Sequence, residues 1–250
     1  MAGRPEPPGD RAGTRPLWFN PPVSAQNRQR RTLSRDQVVT EALTIISTDG
    51  VEALSMRALA ARLGVVPGAL YRHVHSKEQL YDLVLDQVLA EVDCQVDESL
   101  TWEARVAGLA QRLRAVLEDH PGIAALLKTR EPVSPHSLAL AEAFLASLQA
   151  AGLGEHQTAL AFRLIYDYTA GFSLSDRNSA AEQRVRDTAT RHELHAFLRA
   201  LPAGRFPLLA ALGDHVWADD RDDRYAASLG TLIAGLHALQ QPHRPGNYQP

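Results

Sequence analysis

The chain has 250 residues, 45% of them hydrophobic and 22% charged, enough to bury roughly 70–75% of its unfolded surface in one or two compact regions. Its single cysteine, Cys94, excludes a disulfide framework and a multi-cysteine metal site. No apolar run suits a membrane span and the start lacks a secretory apolar core, so a cytoplasmic protein without a membrane partner is expected. The formal charge of -3 divides unevenly: residues 1–77 hold eleven Lys/Arg against six Asp/Glu (+5), and residues 78–250 hold fifteen against twenty-three (-8). That is the footprint of a chain meeting a polyanion with its first third only.

In chain order, residues 1–31 are crowded with Pro5, Pro7, Pro8, Pro16, Pro21 and Pro22 and are predicted to be a flexible arm. Helical periodicity follows almost everywhere and sustained strand alternation nowhere, so the fold class is all-α. A first helix is expected from Arg35 to Thr48, opened by a Ser34/Gln37 capping box, with Val38, Ala42, Ile45 and Ile46 inward and Asp49-Gly50 as its stop. A second follows Ser55, with Met56, Leu59, Ala60 and Leu63 on one face and Gly64 supplying the left-handed turn. A third is expected from Pro67 to about Val74. A fourth runs from Lys77 to about Val92, opened by a Ser76/Gln79 box.

Two short helices joined by Leu63-Gly64-Val65-Val66 and braced on both sides make a helix-turn-helix. Leu59, Leu63, Leu70 and Val74 hold the pair together, leaving the third helix an outward face for a DNA major groove. Gly68 and Ala69 permit close approach, and Arg72 suits guanine O6 and N7. Tyr71, His73 and Lys77 suit phosphates.

The body reads as helices over Trp102–Leu117, ending at His120-Pro121-Gly122, then about Pro135–Ala150 and about Glu155–Phe172. Ser173–Arg191 is expected to be a loop or frayed helix. A last helix begins after Asp219, Asp220, Asp222 and Asp223, with Tyr225, Leu229, Leu232, Leu236 and Leu239 alternating by four and three as a packing seam. Domains are expected at 1–31 (arm), 32–80 (helix-turn-helix), 81–242 (helical body) and 243–250 (tail).

Catalytic constellations are weak. His192 and His195 stand at i, i+3, not the i, i+4 of a zinc-protease helix. The aspartates near 219–223 lack the spacing of a calcium loop. Cys94 has no basic residue near it in sequence, and is expected to be a small buried hydrophobe. No enzyme and no metal site is expected; the competing interpretation is a helical enzyme or metal-binding protein with an incidental helix-turn-helix-like turn.

Residues Leu33 to Leu85, above all Leu63-Gly64-Val65-Val66-Pro67-Gly68-Ala69-Leu70-Tyr71-Arg72-His73-Val74 and Ser76-Lys77-Glu78-Gln79-Leu80, resemble the DNA-binding domain of tetracycline-repressor-type (TetR family) regulators. The body, from helix order and short phrases, resembles the tetracycline-repressor subgroup. The resemblance places Arg57, Pro67, Gly68, Ala69, Tyr71, His73 and Lys77 at operator-contacting positions. Val66 departs from the Ser or Thr frequent at that helix cap and joins the DNA-binding candidates. It also implies a ligand pocket, with Trp102, Phe144, Arg163, Tyr166, Asp167, Tyr168 and Phe172 as candidates. A homodimer would be built by the last two long helices, with Tyr225, Leu229, Leu232 and Leu236 at the interface. Ile123-Ala124-Ala125-Leu126-Leu127 offers no metal ligand where the tetracycline repressors hold one. The expectation is therefore a homodimeric repressor that binds near-palindromic double-stranded operator DNA, carries no cofactor and is released by an apolar or weakly polar effector.

Overall fold

The computed structural model describes residues 33–130, 133–175, 188–202, 204–216 and 221–240. The proline-rich start, Asp219 and Asp220, and the tail lie outside them. Among the described residues there are eleven α-helices and no strand.

Helix α1 (Arg35–Asp49) has the expected capping box: Ser34 accepts from the Gln37 N–H and Gln37 returns to the Ser34 N–H (3.1 and 3.0 Å). Helix α2 (Met56–Arg62) is capped by Ser55. It closes as a complete Schellman motif: Gly64 sits at φ 67, Val65 N–H bonds Ala60 O (2.9 Å) and Gly64 N–H bonds Ala61 O (3.2 Å). A side chain at 64 would meet no neighbour, so the backbone conformation alone asks for glycine there. Helix α3 (Pro67–Leu70) is shorter than the sequence suggests. Beyond Leu70 the chain tightens into i→i+3 bonds, Arg72 N–H to Ala69 O and His73 N–H to Leu70 O, so residues 71–73 are turn and not regular helix.

Helix α4 (Lys77–Leu89) starts where Ser76 accepts from the Gln79 N–H, while Gln79 Oε1 accepts from the His75 N–H (2.6 Å). α4 packs on α1 on one side and on α5, α6 and α7 on the other, so the expected boundary at residue 80 falls inside a helix shared by both regions. The body consists of α5 (Trp102–Asp119), α6 (Ile123–Thr129), α7 (Pro135–Gln149), α8 (Glu155–Ser175), α9 (Thr188–Arg199), α10 (Pro207–Val216) and α11 (Arg221–Leu236). α5, α7 and α8 pack on one another, α6 lies between α4 and α8, and α11 covers α5 and α8. One buried cluster runs from Val38 to Leu236 through both regions. At Gly122 (φ 88) a Cβ would stand 3.0 Å from Ile46 Cγ2 and 3.1 Å from Ile46 O, so a side chain there would push the body off α1.

Several expectations change. The segment Ser173–Arg191 is helical at both described ends, α8 reaching Ser175 and α9 starting at Thr188; residues 176–187 lie outside the description. His192 and His195 accordingly lie on a helix. The acidic cluster does not simply precede the last helix: Asp222 and Asp223 form its first turn. Helices α6 and α10 were not legible, being seven and ten residues long, too short for a clear period. Cys94 is half-buried, and Arg112 lies close enough to act on it; burial pushes its thiol pKa up and Arg112 offsets part of that.

Candidate nucleic-acid interface and effector cavity

The helix-turn-helix turns one side to solvent. Leu59, Leu70 and Val74 are buried, with Leu63 packed against them. Arg57, Val66, Pro67, Gly68, Tyr71 and Arg72 are exposed, and Ala69, His73 and Lys77 are half-buried. Val66 at 71% and Tyr71 at 50% are large hydrophobics left open, which the core does not explain. Arg62 is tied to Glu41 (2.6 Å) and Asp49 (3.5 Å). Arg57, Arg72 and Lys77 form no ion pair among the described residues; Lys77 Nζ rests 5.2 Å from the Tyr81 ring centroid. Burial and the Arg72 charge both lower the His73 pKa, so the imidazole is neutral near pH 7 and offers a hydrogen bond in place of a charge. Residues 33–77 carry five Lys/Arg and four Asp/Glu, so most of the basic excess of the first third belongs to the proline-rich start.

In the body, a cavity of about 450 Å³ opens between the end of α6 and the middle of α8. Leu127, Lys128, Thr129 and Arg130 form one wall; Arg163, Tyr166, Asp167 and Ala170 form the other. Three of the seven candidates for a ligand site are therefore at the cavity, and four are not. Phe144 is fully buried core, its ring 6.0 Å from Phe162. Trp102 sits at the start of α5 against His237 (5.2 Å). Tyr168 and Phe172 pack on Tyr225 (5.6 and 5.1 Å), in a cluster capped by the Arg114 guanidinium 4.5 Å from the Tyr225 ring. An aromatic residue on a helix has the same sequence signature in a core as in a pocket. Lys128, Thr129 and Arg130 carried no periodic signal and were missed.

Arg130, 20% exposed at its side chain, ends α6 and reaches α4. Its Nε and Nη2 donate to Asp82 Oδ1 (3.0 and 2.8 Å), Nη1 donates to Glu78 Oε2, and Nη2 also meets the Glu78 carbonyl. One turn further along α4, Asp86 accepts from the His136 N–H at the start of α7 (3.0 Å) and meets His136 Nδ1 at the same distance. Glu78, Asp82 and Asp86, four residues apart, thus fasten one face of α4 to the body.

The seam on α11 faces inward. Tyr225, Leu229 and Leu236 are 1–2% exposed, with Ile233 beside them, all inside the protomer's own core, and Leu232 is half-buried against it. Tyr225, Leu229 and Leu236 are thus covered within the protomer, while Leu232 keeps an exposed side. A heptad-like stripe marks helix packing but not whose helix is packed. The outward side of α11 carries Ala227, Gly230, Thr231 and Ala234, and the outward side of α8 carries Leu160 (52%) and Leu164 (44%). Among the described residues no group of three or more His, Cys, Asp or Glu is placed to hold a metal ion, and no helix is long and apolar enough to cross a membrane.

Comparison with known proteins bears on both halves. Residues 38–84 match the model for bacterial regulatory proteins of the tetR family, and residues 97–240 match the tetracyclin repressor-like C-terminal domain. An HTH-type transcriptional regulator of Saccharopolyspora erythraea is 36% identical over 226 residues, covering 88% of this chain and 93% of that one. The HTH-type transcriptional repressor DrrR1 of Streptomyces coeruleorubidus is 29% identical over 241 residues, covering 94% and 89%. The crystal structure of the TetR family protein ActR from Streptomyces coelicolor in complex with actinorhodin superimposes with a TM-score of 0.75 at 30% identity, covering 84% of this chain and 99% of that one. With both halves matched, and with a relative this similar along nearly its whole length, the chain belongs to the TetR family of bacterial transcriptional regulators.

Proposed function

We propose that the protein is a cytoplasmic repressor, without catalytic activity or cofactor, that holds a near-palindromic operator as a homodimer and releases it when a small molecule occupies the α6–α8 cavity. The observation that carries this reading is Arg130: one side chain both lines the cavity and grips Glu78 and Asp82 on α4, the helix that begins with Lys77. A ligand that prefers a different position of the α6 end shifts the population of α4 positions, and with it the spacing of the two reading heads. The relative named as a repressor and the ActR complex with a bound small molecule agree with this.

At the DNA, Arg72 is assigned to a guanine edge, and Arg57, Tyr71 and Lys77 to phosphates. His73 donates as a neutral imidazole, and Val66, Pro67, Gly68 and Ala69 form the close-approach surface. The dimer is assigned to the outward faces of α8 and α11, where Ala227, Gly230, Thr231 and Ala234 let a partner helix approach closely beside Leu160 and Leu164. Selecting bound duplexes from a random pool tests the reading. Enrichment of a near-palindrome with half-sites about 34–36 Å apart is expected, with affinity falling steeply as salt rises. Enrichment of nothing, or of asymmetric sites only, overturns it. Ala234→Glu is expected to leave a folded monomer in sedimentation; a persisting dimer moves the interface elsewhere.

A further inference from the structure

The effector cavity carries a second message, about what fills it. We infer that it takes an aromatic anion, whose negative group is bound by Tyr166, Lys128 and Arg163 and competes with α4 for Arg130. This rests on the cavity being the effector site.

Tyr166 is 8% exposed and lines the cavity, and its buried hydroxyl has no hydrogen-bond partner among the described residues. A buried orphan donor is costly unless something at the site accepts from it. Burial pushes its pKa up to about 12, so at neutral pH it is a donor seeking an acceptor. Across the cavity, Lys128 is one of only two lysines in the chain and forms no ion pair among the described residues; its Nζ lies along α8, 4.0 Å from where a Cβ on Gly171 would stand. Among the described residues Arg163 is held by the exposed i, i+4 pair with Asp167 (3.4 Å), a contact of little strength. Asp167 is the one carboxylate on the wall and opposes an anion, but three cations outnumber it. The apolar share of the lining is Leu127, Ala170 and the Tyr166 ring, which continues into Phe162 at 5.6 Å. A flat ring system suits that surface, and the volume lies in the range of small-molecule sites. Of the apolar or weakly polar effectors expected from sequence, a wholly apolar one would leave the Tyr166 hydroxyl without an acceptor and desolvate cations for no return.

Arg130 supplies the link to release. Its Nε, Nη1 and Nη2 hydrogens now go to Asp82 and Glu78. An anion in the cavity presents the same chemistry from the opposite side, and a planar guanidinium cannot aim one N–H at both. Four of its five N–H hydrogens are given to α4, so an anion that takes more than the remaining Nη1 hydrogen takes the rest from α4.

The probes are 2-naphthoate and its neutral counterpart 2-naphthamide, titrated calorimetrically into the full-length protein. The acid is expected to bind at least about tenfold tighter than the amide. Lys128→Gln with Arg163→Gln should remove that preference, and Tyr166→Phe should weaken the acid several-fold without lowering the melting temperature of the free protein. Equal affinity for acid and amide, no binding of either at millimolar concentration, or an acid preference that survives the double substitution overturns the inference. Operator release is read separately, by anisotropy of a labelled selected duplex. Release by the acid in the wild type, with Arg130→Gln both weakening the free operator complex and becoming insensitive to the acid, supports the competition. Acid binding with the expected signatures but no release keeps the anion site, removes the competition for Arg130, and overturns the effector reading alone.

Discussion

The first three helices and the body are held together in different ways. From Ser34 to Val74, the ends are fixed by contacts between residues three to five positions apart: Ser34 with Gln37, Ser55 with Ala58, and Gly64 closing α2. In the body the fixing contacts join residues 56 to 115 positions apart. The Tyr225 hydroxyl bonds the Ala110 carbonyl (3.2 Å) and Thr169 Oγ1 (2.9 Å), and Arg114 bonds Asp222 (2.5 Å). A locally closed unit presents a defined outer face, because every side chain not used in closing it points away. A helix closed by distant partners presents several faces, and its own sequence does not say which meets core, ligand or a second copy.

Phe144 offers the hardest test of that contrast. As core, it is fully buried between α7 and α8 and does not line the α6–α8 cavity. Phe144→Ala should then cost about 3–5 kcal/mol in denaturant unfolding, with the affinity of the remaining folded protein for cavity ligands unchanged. A cost below about 1 kcal/mol together with lost ligand binding would move Phe144 back into the pocket and erase the distinction between the regions.

The DNA face allows a finer division. Arg72 and Lys77 both lack an ion pair among the described residues, but they sit on different elements: Arg72 on the turn ending α3, Lys77 at the first position of α4. Arg72→Ala is expected to cost about 1–3 kcal/mol on the selected operator and much less on random duplex. Lys77→Ala should weaken both alike and lower the salt slope by about one. Equal losses on both DNAs for Arg72→Ala would make it a phosphate contact, and the base reader would have to be sought among Val66, Gly68, Ala69 and Tyr71.

The all-α class, the helix-turn-helix and most helix starts were legible because caps, a Pro at a helix start and a Gly at a helix end act through the nearest few backbone groups. Ser34, Ser55, Ser76 and Thr101 all cap as their sequence positions require. The cavity was half legible: Arg163, Tyr166 and Asp167 are there, yet Lys128 and Arg130 come from α6, a seven-residue helix hidden in the apolar run after Gly122. The α11 stripe is real, but three of its four interface candidates, Tyr225, Leu229 and Leu236, are covered within the protomer. Tyr225, Leu229 and Leu236 recur at helical spacing because α5 and α8 cover them, and periodicity records that a surface is covered without recording by what.

Val66 gives the smallest effect and the most local one. It stands at the N-cap of α3 with extended backbone (φ -77, ψ 145), makes no side-chain cap, and leaves its side chain 71% exposed. Of the first backbone donors of α3, Pro67 has none and the Ala69 N–H already bonds Val66 O (2.9 Å). Serine at 66 would therefore find few open donors, chiefly the Gly68 N–H. Val66→Ser should raise stability by about 0.5–1 kcal/mol, at the low end for a helix cap, or about 1–4 °C in melting temperature for a chain of this length. Its hydroxyl also reaches toward where a phosphate would lie, so operator affinity should tighten by no more than about fivefold. A rise in stability accompanied by weaker operator binding would show that the valine methyls touch DNA, most simply a thymine methyl in the groove. No change in either would mean that α3 is positioned wholly by Leu59, Leu70 and Val74, and that even in the locally closed region the core decides the outcome.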